Sequence, residues 1–363
     1  MLQNVKHIDK RWYWIFLGLL TILISFSVGN DSHLIENVYS RGVFLFIRQI
    51  LDHTIALIPI PFLYVLIALS LVFIIIKIRK SIKSEKTILQ KIGGSILTLF
   101  ALVGGTIFLF QFLWGFNYSR LSLETQLDLK PKALSIEELK TELDLNTTIL
   151  NTKRSLVPNV DSFAFTERYL PPNMEEKIRN ELAHVLKDLG YPSSSRPPLR
   201  LLRPKGFLLR ISTAGFYLPF TGECNVDPGL HATQIPFVIA HEYAHAFGIT
   251  DEGSCNFLAY LSCTNSSDPF IQYSGYLNYW RYLASDYRYL NRKDYGTFKK
   301  QLPLGIINDL NAINETLNKY PDIFPKIRNA AYDTYLKTQG ISEGLESYNR
   351  IVMLVKAWKG KND

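Results

Sequence analysis

The chain has 363 residues, 47% of them hydrophobic and 13% aromatic, with a formal net charge of +8. That length allows two domains, and three cysteines are too few for a disulfide-stapled scaffold. Eleven Lys and Arg stand against five Asp and Glu in the first 116 residues, leaving two of the eight surplus positive charges to everything after. The basic balance is therefore a membrane property, and it excludes a nucleic-acid footprint.

The first 116 residues read as a membrane domain. Trp12 to Gly29, Thr54 to Ile76 and Ile92 to Phe116 are apolar runs, each about long enough to cross a hydrocarbon core of roughly 30 Å. Lys6, Lys10 and Arg11 precede the first run, and KIRKSIKSEK with Lys91 separates the second from the third. The positive-inside rule makes both basic segments cytoplasmic, so three spans carry everything after Phe116 to the outer face. Trp12, Tyr13 and Trp14 at one end, and Trp114, Phe116 and Tyr118 at the other, resemble interfacial aromatic belts. The first run also resembles a cleavable signal peptide, but it lacks an Ala-x-Ala site and is expected to be retained. VFLFIRQIL, Val43 to Leu51, fits an interfacial helix or a buried loop helix.

Residues 117–363 form the second expected domain, without repeats or low-complexity tracts. Ser135 to Leu156 reads as a helix capped by its serine. Asn173 to Gly190 reads as another, with Asn173 as cap and Gly190 as stop. PSSSRPP marks a loop. The runs LRLL, GFLLRIS and TGECNV between Leu199 and Asp227 read as strands, and TGECNV suits either an edge strand that holds a substrate backbone or an internal strand. Helical patterns return at Pro236 and continue to Trp358. Helices, a small sheet and further helices describe an α+β domain.

The chemistry concentrates in FVIAHEYAHAFGITDEGSCNF, Phe237 to Phe257, which contains H-E-x-x-H. His241 and His245 are four apart and project from one helix face. Both imidazoles can then reach one zinc ion at about 2.0–2.1 Å. Glu242 flanks the position where water sits and is placed to take its proton during attack on a carbonyl. Pro236 in the first turn, the apolar run from Ile235 to Ala240, and Gly248 as stop frame the helix. A core helix with two incidental histidines is the plain alternative, and it would leave a buried Glu242 in need of a partner.

A catalytic zinc usually has three protein ligands. On an unbroken helix Glu252 would lie about 10 Å along the axis from His245, so the chain must turn, and Gly248 permits it. Asp251 fits a compact pattern, H-E-x-x-H-x-x-G-x-x-D. Glu252 fits a second helix starting near Thr250, with Asn256 on its face to accept a hydrogen bond from a ligand histidine. Glu252 is the preferred ligand and Asp251 the alternative. Cys255 points off the Glu252 face and is set aside as a ligand. Cys224, Cys255 and Cys263 are an odd set for pairing. His184 and His231 read as solvent-facing or capping. Tyr273, Tyr276, Tyr279 and Tyr282 are read as packing before any is read as an oxyanion donor.

With these residues in place, the sequence resembles a family of bacterial membrane proteins described as domain of unknown function 3810, grouped with the gluzincin-like zinc metallopeptidases. The resemblance spans the three N-terminal runs, GFYLPFTGE (Gly215 to Glu223), HEYAHAFG (His241 to Gly248), E-x-x-x-N-F-x-A-Y-L (Glu252 to Leu261) and QYSGYL (Gln272 to Leu277). It implies metal ligands at His241, His245 and Glu252, with Glu242 as general base and an unknown substrate. Gly253, Ser254 and Cys255 stand where the family tends to have further acids and an alanine, and Gly253 weakens a helix start by up to about 1 kcal/mol.

The expected architecture is an α+β zincin-like metallopeptidase domain preceded by a bundle of three transmembrane helices. The expected function is zinc-dependent peptide hydrolysis outside the cytoplasm by a multi-pass protein of the cell (inner) membrane. Its expected partners are the lipid bilayer and a peptide or protein substrate. The rival from another class is a non-enzymatic membrane sensor that keeps the zinc site, although a structural site needs no Glu242. A transporter is disfavoured because the second and third runs contain no charge.

Overall fold

A computed structural model describes residues 9–28, 31–339 and 349–362. The chain divides into two compact units, residues 1–121 with 219–221, and residues 122–218 with 222–363.

The first unit is helical. Helix α1 spans Arg11–Val28, and a π-helical stretch at Ile35–Val43 leads into α2 at Phe44–Asp52. Helices α3 (Phe62–Ile82) and α4 (Ile88–Leu113) are the two described helices long and apolar enough to cross a membrane. No residue in the apolar window of α3 is buried, so its Leu, Ile and Val side chains need an apolar surrounding that the protein does not provide. The first run is not shown as a span by itself, and the second starts elsewhere than expected. The region from Arg11 qualifies as a third span only if α1 is joined to the helices that follow across a 115° bend. The second apolar run starts eight residues later than expected because Pro61 sits at the N-cap of α3. That helix continues beyond Ile76 through Lys and Arg, which are good helix formers whatever their hydropathy.

Helices α1 and α4 approach closely at a pair of glycines. A Cβ on Gly18 would lie 2.5 Å from the Gly104 Cα, so small residues are what let these backbones meet. Arg11 adds bonds to Gly94 O and Thr98 Oγ1 at 2.7 and 3.0 Å. In α2, Arg48 turns inward, fully buried and paired with Asp52.

The second unit is mostly helical with one small sheet. Ser135 caps α5 (Ile136–Ser155) in a reciprocal box with Glu138, at 3.2 and 2.9 Å. Helix α6 (Met174–Asp188) differs from expectation. Asn173 stands at its start with φ +54 and no side-chain cap bond, because asparagine tolerates the left-handed conformation as readily as it caps.

Strands β1 (Leu199–Leu201), β2 (Gly215–Leu218) and β3 (Glu223–Val226) form a sheet in the order β1-β3-β2, with β1 parallel and β2 antiparallel to β3. TGECNV is thus the central strand and offers no free edge. GFLLRIS is not a strand. Its Leu209–Ile211 form a 3-10 turn, held where the Asp227 carboxylate accepts from the backbone N–H groups of Gly206, Leu208 and Leu209 at 2.7–3.1 Å.

Helices α7 (Ile235–Ala246), α8 (Glu252–Asn265), α9 (Pro269–Leu290), α10 (Arg292–Lys300), α11 (Leu304–Asn318), α12 (Pro325–Thr338) and α13 (Arg350–Asn362) follow. Helix α8 lies in the core, buried from Glu252 to Cys263. Gly275 of α9 allows close packing against α8, since a Cβ there would stand 2.7 Å from the Cys263 Cβ. A second core centre is Asp309 on α11, which accepts from Arg154 Nε at 2.9 Å, the Tyr273 hydroxyl at 2.6 Å and the Phe165 N–H at 2.7 Å. The buried carboxylate and guanidinium satisfy each other, which is what makes their burial tolerable.

Candidate metal centre

Helix α7 presents His241 and His245 on one face. Its end is made by Gly248, whose φ of +86 reverses the chain at low cost because glycine has no Cβ. The Ile249 N–H returns to Ala244 O at 3.1 Å. Asp251 then caps α8, with Oδ1 accepting from the Ser254 N–H at 2.7 Å and Oδ2 from Arg350 at 3.1 Å. A cap of this kind contributes about 1 kcal/mol, enough to offset the cost of Gly253 in the first turn. Because Asp251 is engaged in capping, the residue that faces the histidines is Glu252, the first of α8.

His241, His245 and Glu252 converge, with ligand atoms all within 4.8 Å of one another. Glu252 Oε2 lies 3.0 Å from His241 Nε2 and 3.4 Å from His245 Nε2, and the two Nε2 atoms are 3.2 Å apart. The outer nitrogens determine what these inner atoms are. Nδ1 of His245 bonds Ile249 O at 2.8 Å, and a carbonyl only accepts, so this nitrogen carries the hydrogen. Nδ1 of His241 meets Asn256 Oδ1 at 2.9 Å and carries one for the same reason. With both Nδ1 hydrogens turned outward, neutral imidazoles would aim two Nε2 lone pairs at a carboxylate oxygen. Three electron-rich atoms this close repel unless a proton or a cation sits among them. The donor set of two imidazoles and one carboxylate suits a first-row divalent ion such as zinc, so the residues present fit a metal. In the protein alone protons take that place: against the effect of burial, Cys255 and Glu252 hold His245 well above its usual imidazole range, and the two histidines hold the Glu252 carboxyl well below its own.

Glu242, 4% exposed, is not part of this convergence. Its Oε2 is buried and has no hydrogen-bond partner among the described residues. Burial pushes its pKa up to about 7, against the pull of His241 and His245. It is crowded from β2, where a Cβ on Gly215 would come within 2.8 Å of Oε1. Glu242 and His241 line a cavity of about 950 Å³ whose walls include Leu208, Ile211, Phe216, Phe237 and Phe324.

The neighbours of the cluster include residues whose sequence pattern set them aside and one, Tyr332, that no sequence pattern reached. Cys255 is no member of the convergence, yet its Sγ lies 3.3 Å from His245 Nδ1. Burial pushes its thiol up to about 12, so it stays protonated, unlike a thiolate ligand. Cys224 and Cys263 are also buried, and neither forms a disulfide among the described residues. The Tyr332 hydroxyl donates to Glu252 Oε1 at 2.9 Å from α12, and nothing in the spacing of residues eighty apart signals that bond. Among the four evenly spaced tyrosines at 273, 276, 279 and 282 of α9, Tyr273 bonds Asp309 and Tyr279 bonds Glu142, while Tyr282 lines the cavity and accepts from Asn256 Nδ2 at 3.1 Å. His184 is exposed, and His231 bonds Thr233 Oγ1 locally at 2.8 Å.

Fold and site together define a mostly helical protein with membrane-length apolar helices and a buried His-His-Glu cluster beside an apolar cavity. The chain belongs to the family described as "Protein of unknown function (DUF3810)", whose model matches residues 39–356. No curated protein and no solved structure matches it.

Proposed function

We propose that this is a membrane-anchored, zinc-dependent peptidase with a zincin-like catalytic domain, the zinc being held by His241, His245 and Glu252. The observation that carries the reading is the orphaned Oε2 of Glu242. A buried carboxylate oxygen without a partner costs stability, and that cost is met where the oxygen has a proton to take. A zinc ion at the cluster supplies Lewis acidity, polarising a carbonyl and acidifying water. Glu242 Oε2 takes the proton from the attacking water and returns it to the leaving amine, a task suited to a pKa near 7. Tyr282 stays neutral because burial pushes its pKa up to about 12, and its hydroxyl is the donor offered to the developing oxyanion. The apolar walls exclude water and receive the substrate's side chains.

In this reading the first apolar run completes a bundle of three spans. The basic segment from Lys77 to Lys91 is cytoplasmic, and residues 117–363 work outside the cytoplasm.

The test uses the full chain in detergent. Alanine at both His241 and His245 removes bound zinc. Glu242→Gln keeps it and lowers peptide hydrolysis by about 10²–10⁴. A wild-type protein with one zinc per chain that cleaves no member of a broad peptide library overturns the peptidase reading and leaves a zinc-bearing sensor.

A further inference from the structure

The cavity beside the cluster is apolar on most sides and positive at one place. Arg281 lines it on α9, one residue from Tyr282. Among the described residues its guanidinium makes one hydrogen bond, from Nη1 to Asn278 Oδ1 at 3.2 Å, and forms no ion pair with a carboxylate. Other buried or half-buried arginines of this unit are matched: Arg154 with Asp309, Arg200 with Glu223, and Arg350 with Glu124 and Asp251. Asp322 also lines the cavity, but it is bonded to Ser212. A guanidinium has five N–H donors in a planar fork, the shape that takes a carboxylate with two parallel bonds. Burial lowers the pKa of Arg281, the direction expected of a cation that lacks its counter-charge.

We infer that Arg281 is a substrate-recognition residue, and that the substrates are peptides presenting a carboxylate to it while apolar side chains fill the cavity beside Phe216, Phe237 and Phe324. The inference rests on the peptidase reading and names its substrate class. The carboxylate comes from a C-terminus or from an acidic side chain, and both are the same group to a guanidinium. In either case the bond fixes the register of the peptide against His241 and Glu242, which line the same cavity.

Three fluorescent peptides of leucine and phenylalanine separate the sources: one with a free C-terminus, one amidated, and one amidated with an internal glutamate. Binding is measured on the full chain carrying zinc and Glu242→Gln, so no turnover is needed. One of the two carboxylate peptides is expected to bind about 30-fold or more tighter than the plain amide. Arg281→Gln erases the difference, Arg281→Lys restores part of it, and zinc content stays constant throughout. Equal affinities, binding by none of the three, or a preference that survives Arg281→Gln overturns the inference. The wild-type arginine comparison stands even if a variant fails to fold. Cleavage of all three peptides at equal KM by the wild-type protein refutes Arg281 recognition while the peptidase reading holds. Carboxylate-selective binding without cleavage of any peptide does the reverse.

Discussion

Tyr332 donates its hydroxyl to Oε1 of Glu252 at 2.9 Å, while Oε2 of the same carboxylate faces His241 and His245. Helix α12 therefore orients a carboxylate that begins α8. Groups that hold a ligand in place typically alter metal affinity by 10–100-fold when removed. Tyr332→Phe is expected to weaken zinc binding by about that factor while the fold is kept, as measured by competition with a chromogenic chelator. An unchanged affinity would show that the bond is incidental.

Gly215 faces Glu242 across a gap with no room for a methyl group. A Cβ there would stand 2.7 Å from Asn225 O and 2.8 Å from Glu242 Oε1. The nearer clash is with the backbone of β3, so the strand pairing and the Glu242 carboxylate must both shift. Gly215→Ala should cost about 1–3 kcal/mol of stability. On the peptidase reading, hydrolysis should fall with zinc content unchanged, and a parallel loss of zinc would place the damage at the proposed ligands instead.

The Asp309 centre is structural. Asp309→Ala removes the carboxylate from Arg154, Tyr273 and the Phe165 N–H together and leaves a buried cation unpaired. The expected loss is about 3–5 kcal/mol, read as a fall in Tm. Asp309→Asn, which still accepts from one or two of these donors, should lose less.

Asp286 supplies a pH dependence away from the cluster. Burial pushes its carboxyl up from 3.8 to about 6. Between those values the folded protein keeps a proton that the unfolded chain has lost, so stability is highest below the window and falls as pH rises through it. For a half-exposed group screened by solvent the fall is about 1 kcal/mol. Asp286→Asn should flatten that part of the Tm-against-pH curve, and an unaltered slope would rule the group out as its source.

Sequence by itself determined the features that depend on neighbours a few residues apart. Uninterrupted apolar composition marks α3 and α4, a Ser135–Glu138 box starts α5, a helical period puts His241 and His245 on one face, and Gly248 allows the turn after them. These signals are legible because a cap, a turn or a helical face is complete within one or two turns of chain. Asp251 and Glu252 both satisfied that local logic. Tertiary structure separated them, using the first to cap α8 and pair with Arg350, and the second to face the histidines. It alone brought Tyr332 and Arg281 to the site from α12 and α9, placed TGECNV in the middle of the sheet, and picked Tyr282 out of four evenly spaced tyrosines. Such choices depend on which helix faces pack together across many residues of chain, and a repeating pattern along one helix carries no information about what the opposite wall presents.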